Sequence, residues 1–526
     1  MDVGYALRRA RQLYPEAIAA YDGDRAIAYA EFADRVTRLA GALGEMGVQP
    51  GDRVAVLMLN SPRYFELYHA VPLAGAIIVP INIRWNPAEI VFALSDSGTR
   101  LLLVDDYFAR VAPALSASLP ELQYVFAGNG PCPAGMVDYE ARLAAAMPAP
   151  LYGLLPDEND VVALFYTSGS TGGPKGVMLT HRNLYANAMH GTVAQAIARD
   201  WVWLHAAPMF HVADGTAAYA LAMHGACSCF MPAFDPEACL KAIERYRVTH
   251  TFVVPAMLNA IVSHPALNRC DTSSLRVVLY GASPMPLDLL RRAQEKLGCP
   301  FAQGYGLTES SPGLTYLEPE DHTLENADQQ FVPVKSAGRP VMGVELRIVD
   351  PLDRELPPGE AGEVVARGDN IMKGYWNQPA ITADTLRGGW LHTGDIGTLD
   401  ARGYLYILDR KKGMIKPGGE NVYSPEVESM IASHPEVLEV AVIGLPDETW
   451  DEAIKAVVVR RPGSALTERE VIDYCRERMA HFKCPASVDF MDALPKGGTG
   501  KVQKPVLRAR FTGTVAARTP PDNSAS

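Results

Sequence analysis

The chain has 526 residues, nearly half of them hydrophobic (48%), and a formal net charge of −12. That length leaves room for two or more domains with a substantial core. The acidic balance argues against a nucleic-acid partner, which calls for a basic face, and no run of about eighteen apolar residues is present to span a membrane.

In chain order, the opening MDVGYALRRARQLYPEA predicts a short amphipathic helix, with acid and arginine mixed in, rather than a signal peptide. RVAVLML, AIIVPIN and RLLLVDD are short apolar runs separated by helical stretches such as RYFELYHAVPLAGA. Such alternation predicts parallel strands joined by crossover helices. It continues through THTFVVP and LRVVLYGAS, then turns β-rich after Lys335 with VELRIVD, GEVVARG and GYLYILD. Helix and strand alternate again after Ser424, in PEVESMIASHP, VLEVAVIGLPD, IKAVVV and TEREVIDYCRERMA. The fold class is α/β, with a domain boundary between Asp409 and Lys412 and a disordered tail over 512–526. No repeat of fixed period is visible. The eight cysteines are scattered, and Cys227 and Cys229 lie too close together for a zinc ligand pair. Reduced thiols and a cytoplasmic setting are the plain expectation.

The segment YTSGSTGGPKGV, residues 166–177, carries the strongest chemical signal. An apolar run, VVALFY, leads into a loop of glycines and hydroxyls, so backbone N–H groups can converge on phosphate oxygens while Lys175 adds charge. A flexible surface turn is the plain alternative. The loop is not a nucleoside-triphosphatase P-loop, because the second glycine position holds Pro174 and Gly176 stands where the magnesium hydroxyl belongs. Nor is there a dinucleotide fingerprint at Gly304-Tyr305-Gly306, since Glu309 occupies the third glycine position.

Further along come PMFHVADG, YGASPMP, QGYGLTES, HTGD, LDRKKGMIKPGGEN and LPKGGTGKVQK. With the loop, these seven motifs resemble in content and order those of the adenylate-forming superfamily, closest to its standalone fatty-acid or aryl-acid CoA ligases. The resemblance covers roughly residues 29–511. It implies a large N-terminal domain (1–409) of parallel α/β subdomains plus a small β-barrel-like part, a hinge (410–416), and a small mobile α+β C-terminal domain (417–511).

It also implies residue roles. Thr167, Ser168, Gly169, Ser170, Thr171, Gly172 and Lys175 would hold phosphates. Gly281, Ala282 and Ser283 match the turn against adenine, Gly304, Tyr305 and Gly306 the segment with the adenine-stacking aromatic, and Asp395 and Arg410 the ribose contacts. Thr308 matches a phosphate-contacting threonine, Glu309 the carboxylate that organises magnesium, and Lys501 the adenylation lysine. Lys412 takes the hinge position, about which rotation would exchange Lys501 for Lys416 and the Gly418-Gly419 turn at the thioester site. The residue types suit that chemistry. A carboxylate attacking the α-phosphate of ATP brings two anions together, and a flexible ammonium can bridge them. Magnesium takes most of its oxygens from phosphates, so one protein carboxylate suffices.

The implied activity is an ATP- and magnesium-dependent acyl-CoA synthetase that forms an acyl-adenylate and then a CoA thioester, releasing AMP and pyrophosphate. A medium- or long-chain fatty acid is the favoured substrate, with an aryl or polar short acid as the alternative. Other adenylating outcomes without CoA transfer, and a non-catalytic AMP- or ATP-binding protein, are the rivals. A homodimer is an admissible assembly. By the same resemblance the acyl pocket is lined by His211, Ala213, Asp214, Gly215, Ala217, Met257, Ser310, Ser311 and Gly313, many of them small. His211 reads either as a packed core histidine or as a gate between acyl site and pantetheine tunnel. Asp214 reads as a helix N-cap or an exposed carboxylate, or else as a pocket acid that selects a donor or cationic substrate.

Overall fold

The alternation read from the sequence is the architecture found in a computed structural model, which describes residues 1–153, 156–167, 174–325, 331–411, 413–417, 422–447, 451–496 and 502–512. The chain divides into two units. One comprises Met1–Arg347, Val365–Thr393 and Leu399–Tyr406; the other comprises Ile348–Val364, Gly394–Thr398 and Ile407–Ser526.

Two large sheets dominate the first unit. Among the described residues, one sheet runs in the order Arg339–Pro340, Thr315–Leu317, Phe301–Tyr305, Val277–Gly281, His250–Val253, Val202–His205, Cys227–Phe230, Ile18–Asp22, Arg25–Ala28. Its pairing is parallel from Phe301–Tyr305 to Ile18–Asp22 and antiparallel at both edges. The other runs Gly374–Tyr375, Lys175–Thr180, Val161–Thr167, Ile77–Pro80, Arg53–Leu57, Leu101–Val104, Gln123–Phe126, Val137–Asp138. Ile77–Pro80 and Leu101–Val104 are buried at every position, as parallel strands covered on both faces must be.

Local chemistry sets the crossovers. Helix Pro62–Leu73 starts where Ser61 accepts from the Tyr64 N–H and proline takes the first turn. It is buried almost all round, from Tyr64 to Pro72, which marks a core helix rather than a surface one. Helix Pro87–Ser97 opens on an Asn86–Glu89 capping box and ends at Gly98 in the left-handed region. The opening helix forms as expected, over Gly4–Leu13, with Ala6, Leu7 and Ala10 buried.

The β-rich stretch after Lys335 folds as Val344–Val349, Gly362–Gly368, Leu391–Leu399 and Leu405–Arg410, a four-stranded sheet in that order whose residues are divided between the two units. In the second unit, Val437–Asp447 pairs antiparallel with Asp451–Arg460, which pairs parallel with Ser487–Phe490. Side chains alternate along these strands. Val442, Ala456 and Val458 pack with Val427, Ile431 and Val471 of helices Ser424–Ala432 and Glu468–Arg476. Ala441, Ile443 and Val457 pack with Leu507 and Phe511 of helix Lys504–Thr512. Among the described residues, no helix is long and apolar enough to cross a membrane.

Candidate active site

The apolar run VVALFY is the strand Val161–Thr167, and Thr167 is its last residue. The chain returns as the antiparallel strand Lys175–Thr180, with Thr167 opposite Lys175. The glycine-rich loop therefore joins two strands. A nucleoside-triphosphatase loop would run into a helix and use its N-terminus, so the geometry agrees with the missing P-loop signature. Ser168, Gly169, Ser170, Thr171 and Gly172 lie outside the described residues.

Segment 372–376 lies along the other side of that returning strand. Gly374 and Tyr375 pair with Met178 and Val177, and the Trp376 N–H donates to the Gly176 carbonyl at 2.8 Å. This register brings the Tyr375 ring to the Lys175 ammonium, 5.1 Å from the ring centroid, within cation–π range. On its other side, the Tyr375 hydroxyl donates to Glu309 Oε1 at 2.8 Å. The Glu309 carbonyl accepts from the Met372 N–H at 2.9 Å. Burial, reinforced by the adjacent Glu309 carboxylate, pushes the Tyr375 phenol well above its ordinary range, so it stands as a neutral donor.

Glu309 and Thr308 belong to a single 3₁₀ turn, Thr308–Ser310, just past the carboxyl end of strand Phe301–Tyr305. Its parallel neighbour ends at Gly281, opposite Gly304. A Cβ at Gly281 would sit 2.5 Å from the Gly304 carbonyl oxygen, and one at Gly306 would sit 1.7 Å from that of Pro312. Both glycines are demanded by close backbone approach. At Gly304 a Cβ would meet nothing within 4 Å among the described residues. Ala282 has a left-handed φ of 66°, Ser283 is half-buried, and Tyr305 packs partly buried against the main core. Carboxyl ends of parallel strands are where ligands bind in α/β sheets. One hydrogen bond to Oε1 leaves the Glu309 carboxylate with lone pairs of the kind a hard cation takes.

The turn after Glu309 is strapped from three sides. Ser310 is fully buried. Its hydroxyl lies 2.9 Å from both the Leu307 N–H and the Pro312 carbonyl oxygen. The Ser310 hydroxyl thus shapes its own turn. Asn370 donates to the carbonyls of Ser310 and Gly313 at 2.8 and 2.6 Å, while Asn187 Oδ1 accepts from the Gly313 N–H at 3.2 Å. Ser311 is also fully buried.

On the other flank, His211 precedes the short helix Val212–Gly215, with its ring 4.3 Å from that of Phe210. Ala213 and Ala217 are half-buried. At Gly215 a Cβ would come within 2.1 Å of the Tyr68 hydroxyl. Met257 is 8% exposed and packs in the core beside Val253 and Leu258. Asp214 is neither an N-cap nor an exposed carboxylate. It is completely buried inside the short helix. Its two oxygens meet Trp203 Nε1 at 3.2 Å and His205 Nδ1 at 2.9 Å, and His205 Nε2 lies 3.3 Å from Ser228 Oγ. A lone acid three residues after a histidine gave no sign of two partners on a preceding strand.

In the second unit, Asp395 is 2% exposed and Arg410 Nε pairs with its Oδ1 at 2.8 Å. The two ribose candidates thus bind one another. Asp409, not singled out from sequence, accepts from the N–H and hydroxyl of Ser424 at 2.8 and 2.9 Å. Lys416 is exposed, its N–H bound to Glu452 at 2.7 Å. Lys412, Gly418, Gly419 and Lys501 lie outside the described residues.

Tyr375, Asn370 and Asn187 are the contributors that sequence reasoning passed over. Tyr375 touches Glu309 across 66 positions, and nothing local in MKGYW marks it as polar.

A family model described as AMP-binding enzyme matches residues 7–376, and one described as AMP-binding enzyme C-terminal domain matches 426–501. The chain is 43% identical over 508 residues to a feruloyl-CoA synthase of Amycolatopsis sp, covering 96% of this chain and 98% of that one. It is 38% identical over 526 residues to the long-chain-fatty-acid–CoA ligase FadD13 of Mycobacterium tuberculosis, covering 98% and 99%. Among solved structures, ATP-bound MatB from Rhodopseudomonas palustris superposes with a TM-score of 0.86 at 31% identity, covering 98% of this chain and 100% of that one.

Proposed function

The chain belongs to the AMP-binding enzyme family, and from that premise we propose that it joins an aromatic carboxylic acid to coenzyme A by way of an acyl-adenylate. It is an AMP-forming acid–thiol ligase. The observation that carries the adenylating chemistry is the array Lys175–Tyr375–Glu309. It sets a cation and a carboxylate around one ring, beside the carboxyl ends of parallel strands.

In the first step an oxygen of the acid attacks the α-phosphorus of ATP, and the bond to the bridging oxygen breaks to release pyrophosphate. Lys175 and the backbone N–H groups of the 168–172 loop hold the phosphates, and Lys501 supplies the second ammonium that offsets the meeting of two anions. Magnesium, with Glu309 as its protein ligand, would neutralise phosphate charge. Tyr305 and the Gly281–Ser283 turn take the adenine, and Asp395 with Arg410 the ribose hydroxyls. In the second step the CoA sulfur attacks the acyl carbonyl and AMP leaves with the bonding pair, with Lys416 and the Gly418–Gly419 turn at the thioester site.

The acid is assigned to the aromatic class because the feruloyl-CoA synthases match at 43% and the long-chain ligase at 38%, and because the acyl-wall positions 213 and 313 carry only the small residues Ala213 and Gly313. Met257, an adaptable side chain, favours a second reading, a medium- or long-chain alkyl acid. A panel of hydroxycinnamic, benzoic, medium-chain and long-chain acids, scored by kcat/KM for acyl-CoA, separates the two. Preference for the hydroxycinnamic acids supports the proposal; preference for decanoic or palmitic acid transfers the assignment to the alkyl class.

A further inference from the structure

Glu309 is held from two directions. Its backbone carbonyl is tied to the Met372 N–H, and its side chain accepts from the Tyr375 hydroxyl. Both donors lie on one short segment that is itself zipped to the strand leaving the phosphate loop. The Lys373 N–H donates to the Met178 carbonyl and the Trp376 N–H to that of Gly176, the two residues flanking Tyr375's strand partner, Val177.

The segment is braced from behind as well. The Tyr375 N–H donates to Thr382 Oγ1 at 2.8 Å, and that hydroxyl donates to the Gln378 carbonyl at 2.9 Å. Gly374, at φ 145°, passes so close to Thr382 that a Cβ would sit 2.5 Å from its methyl. The ring of Tyr375 is 7% exposed. Its position is thus fixed by backbone pairing, by the Thr382 bond and by packing, independently of Glu309.

We propose that Tyr375 is a positioning residue: its hydroxyl sets where the Glu309 carboxylate stands relative to Lys175, and thereby how tightly the metal–nucleotide complex is held. The inference rests on reading Glu309 as the magnesium ligand. A carboxylate on a flexible side chain must otherwise lose rotamer freedom when it takes a cation. A neutral donor fixed in advance removes that cost and leaves lone pairs for the metal. The same ring meets the Lys175 ammonium, so one side chain spaces the two charges that straddle the phosphates.

The test uses Tyr375→Phe, which keeps the ring and its face for Lys175 while deleting the hydroxyl. ATP affinity is measured by calorimetry with magnesium and with EDTA, in the absence of acid and CoA, alongside the magnesium concentration for half-maximal activity. Loss of such a supporting bond typically weakens metal affinity about 10–100-fold. Expected is a shift of that order in the magnesium requirement, with unchanged ATP affinity in EDTA and unchanged KM for the acid. An equal loss of ATP affinity with and without magnesium, or no shift at all, overturns the proposal.

Glu309→Gln separates this from its premise. If Glu309→Gln leaves the magnesium requirement unchanged, the reading of Glu309 is wrong. If it raises the requirement while Tyr375→Phe does not, only the positioning role fails. In the double variant the Tyr375→Phe effect should disappear, because the bond it removes runs to Glu309; a full, additive effect there overturns the coupling.

Discussion

Asp214 and His205 are both fully buried, and the Asp214 carboxylate accepts from His205 Nδ1 at 2.9 Å while also meeting Trp203 Nε1 at 3.2 Å. The acid sits one residue after Ala213 and one before Gly215, so its two bonds anchor the segment that carries the acyl-wall candidates. Asp214→Ala would leave His205 and Trp203 without their acceptor, and breaking a buried pair costs about 3–5 kcal/mol. The expected result is that much lost stability in urea unfolding, with relative rates on polar and alkyl acids unchanged. A change in acid preference at undiminished stability would place the carboxylate in the pocket instead.

His69 gives a pH dependence whose sign can be worked out. Its two ring nitrogens have no hydrogen-bond partner among the described residues, and burial lowers its pKa from 6.5 to about 3. Above pH 6.5 the ring is neutral folded or unfolded. Below it the unfolded chain takes up a proton that the native protein refuses, so stability falls as pH drops, by about 1.4 kcal/mol per pH unit for this group. His250 and His181, lowered to about 3 and about 4 mainly by burial, add to the same slope. Unfolding free energies measured between pH 7 and 5 should decline, and His69→Phe should make that decline shallower by one histidine. An unaltered slope in the variant would sink the assignment.

Gly281 and Gly304 face each other across the strand ends but differ in what surrounds them. Gly281→Ala would drive a methyl into the Gly304 carbonyl, with a stability loss of about 1–3 kcal/mol. Gly304→Ala meets no atom of the described residues within 4 Å and should fold normally. If adenine lies against these strand ends, the added methyl costs ATP binding instead, raising KM for ATP about tenfold or more with Tm unchanged. An unaltered KM in Gly304→Ala would move the adenine elsewhere.

How far the sequence could be read depended on range. Apolar runs such as LLLV at 101–104 and IIVP at 77–80 became strands because a parallel strand buried on both faces writes a continuous hydrophobic signature. The run VVALFY was legible for a similar reason, as the strand Val161–Thr167 that leads towards the glycine-rich segment. The cap and exposed readings of Asp214 failed because its partners, Trp203 and His205 on one strand, lie eleven and nine positions away and its complete burial has no local mark. Tyr375 went unnoticed because its bond to Glu309 spans two separate elements. The turn-closing bonds of the Ser310 hydroxyl were likewise invisible in the sequence.

On the proposed mechanism, Lys501 would separate the two half-reactions. If its ammonium serves only the approach of the acid to the α-phosphate, Lys501→Ala should reduce acyl-AMP formation about 100–1,000-fold, the usual scale for deleting one transition-state charge partner. Thioester formation from supplied acyl-AMP and CoA should proceed within a few-fold of the parent rate. Equal loss in both half-reactions, at unchanged Tm, would remove the division of labour.

The decisive measurement is the fate of the nucleotide. With ATP, magnesium, CoA and a hydroxycinnamic acid, AMP and acyl-CoA should appear in equal amounts, with no ADP and with no AMP when acid is withheld. ADP and inorganic phosphate, or AMP without a matching thioester, would contradict an acid–thiol ligase built on the Lys175–Tyr375–Glu309 array.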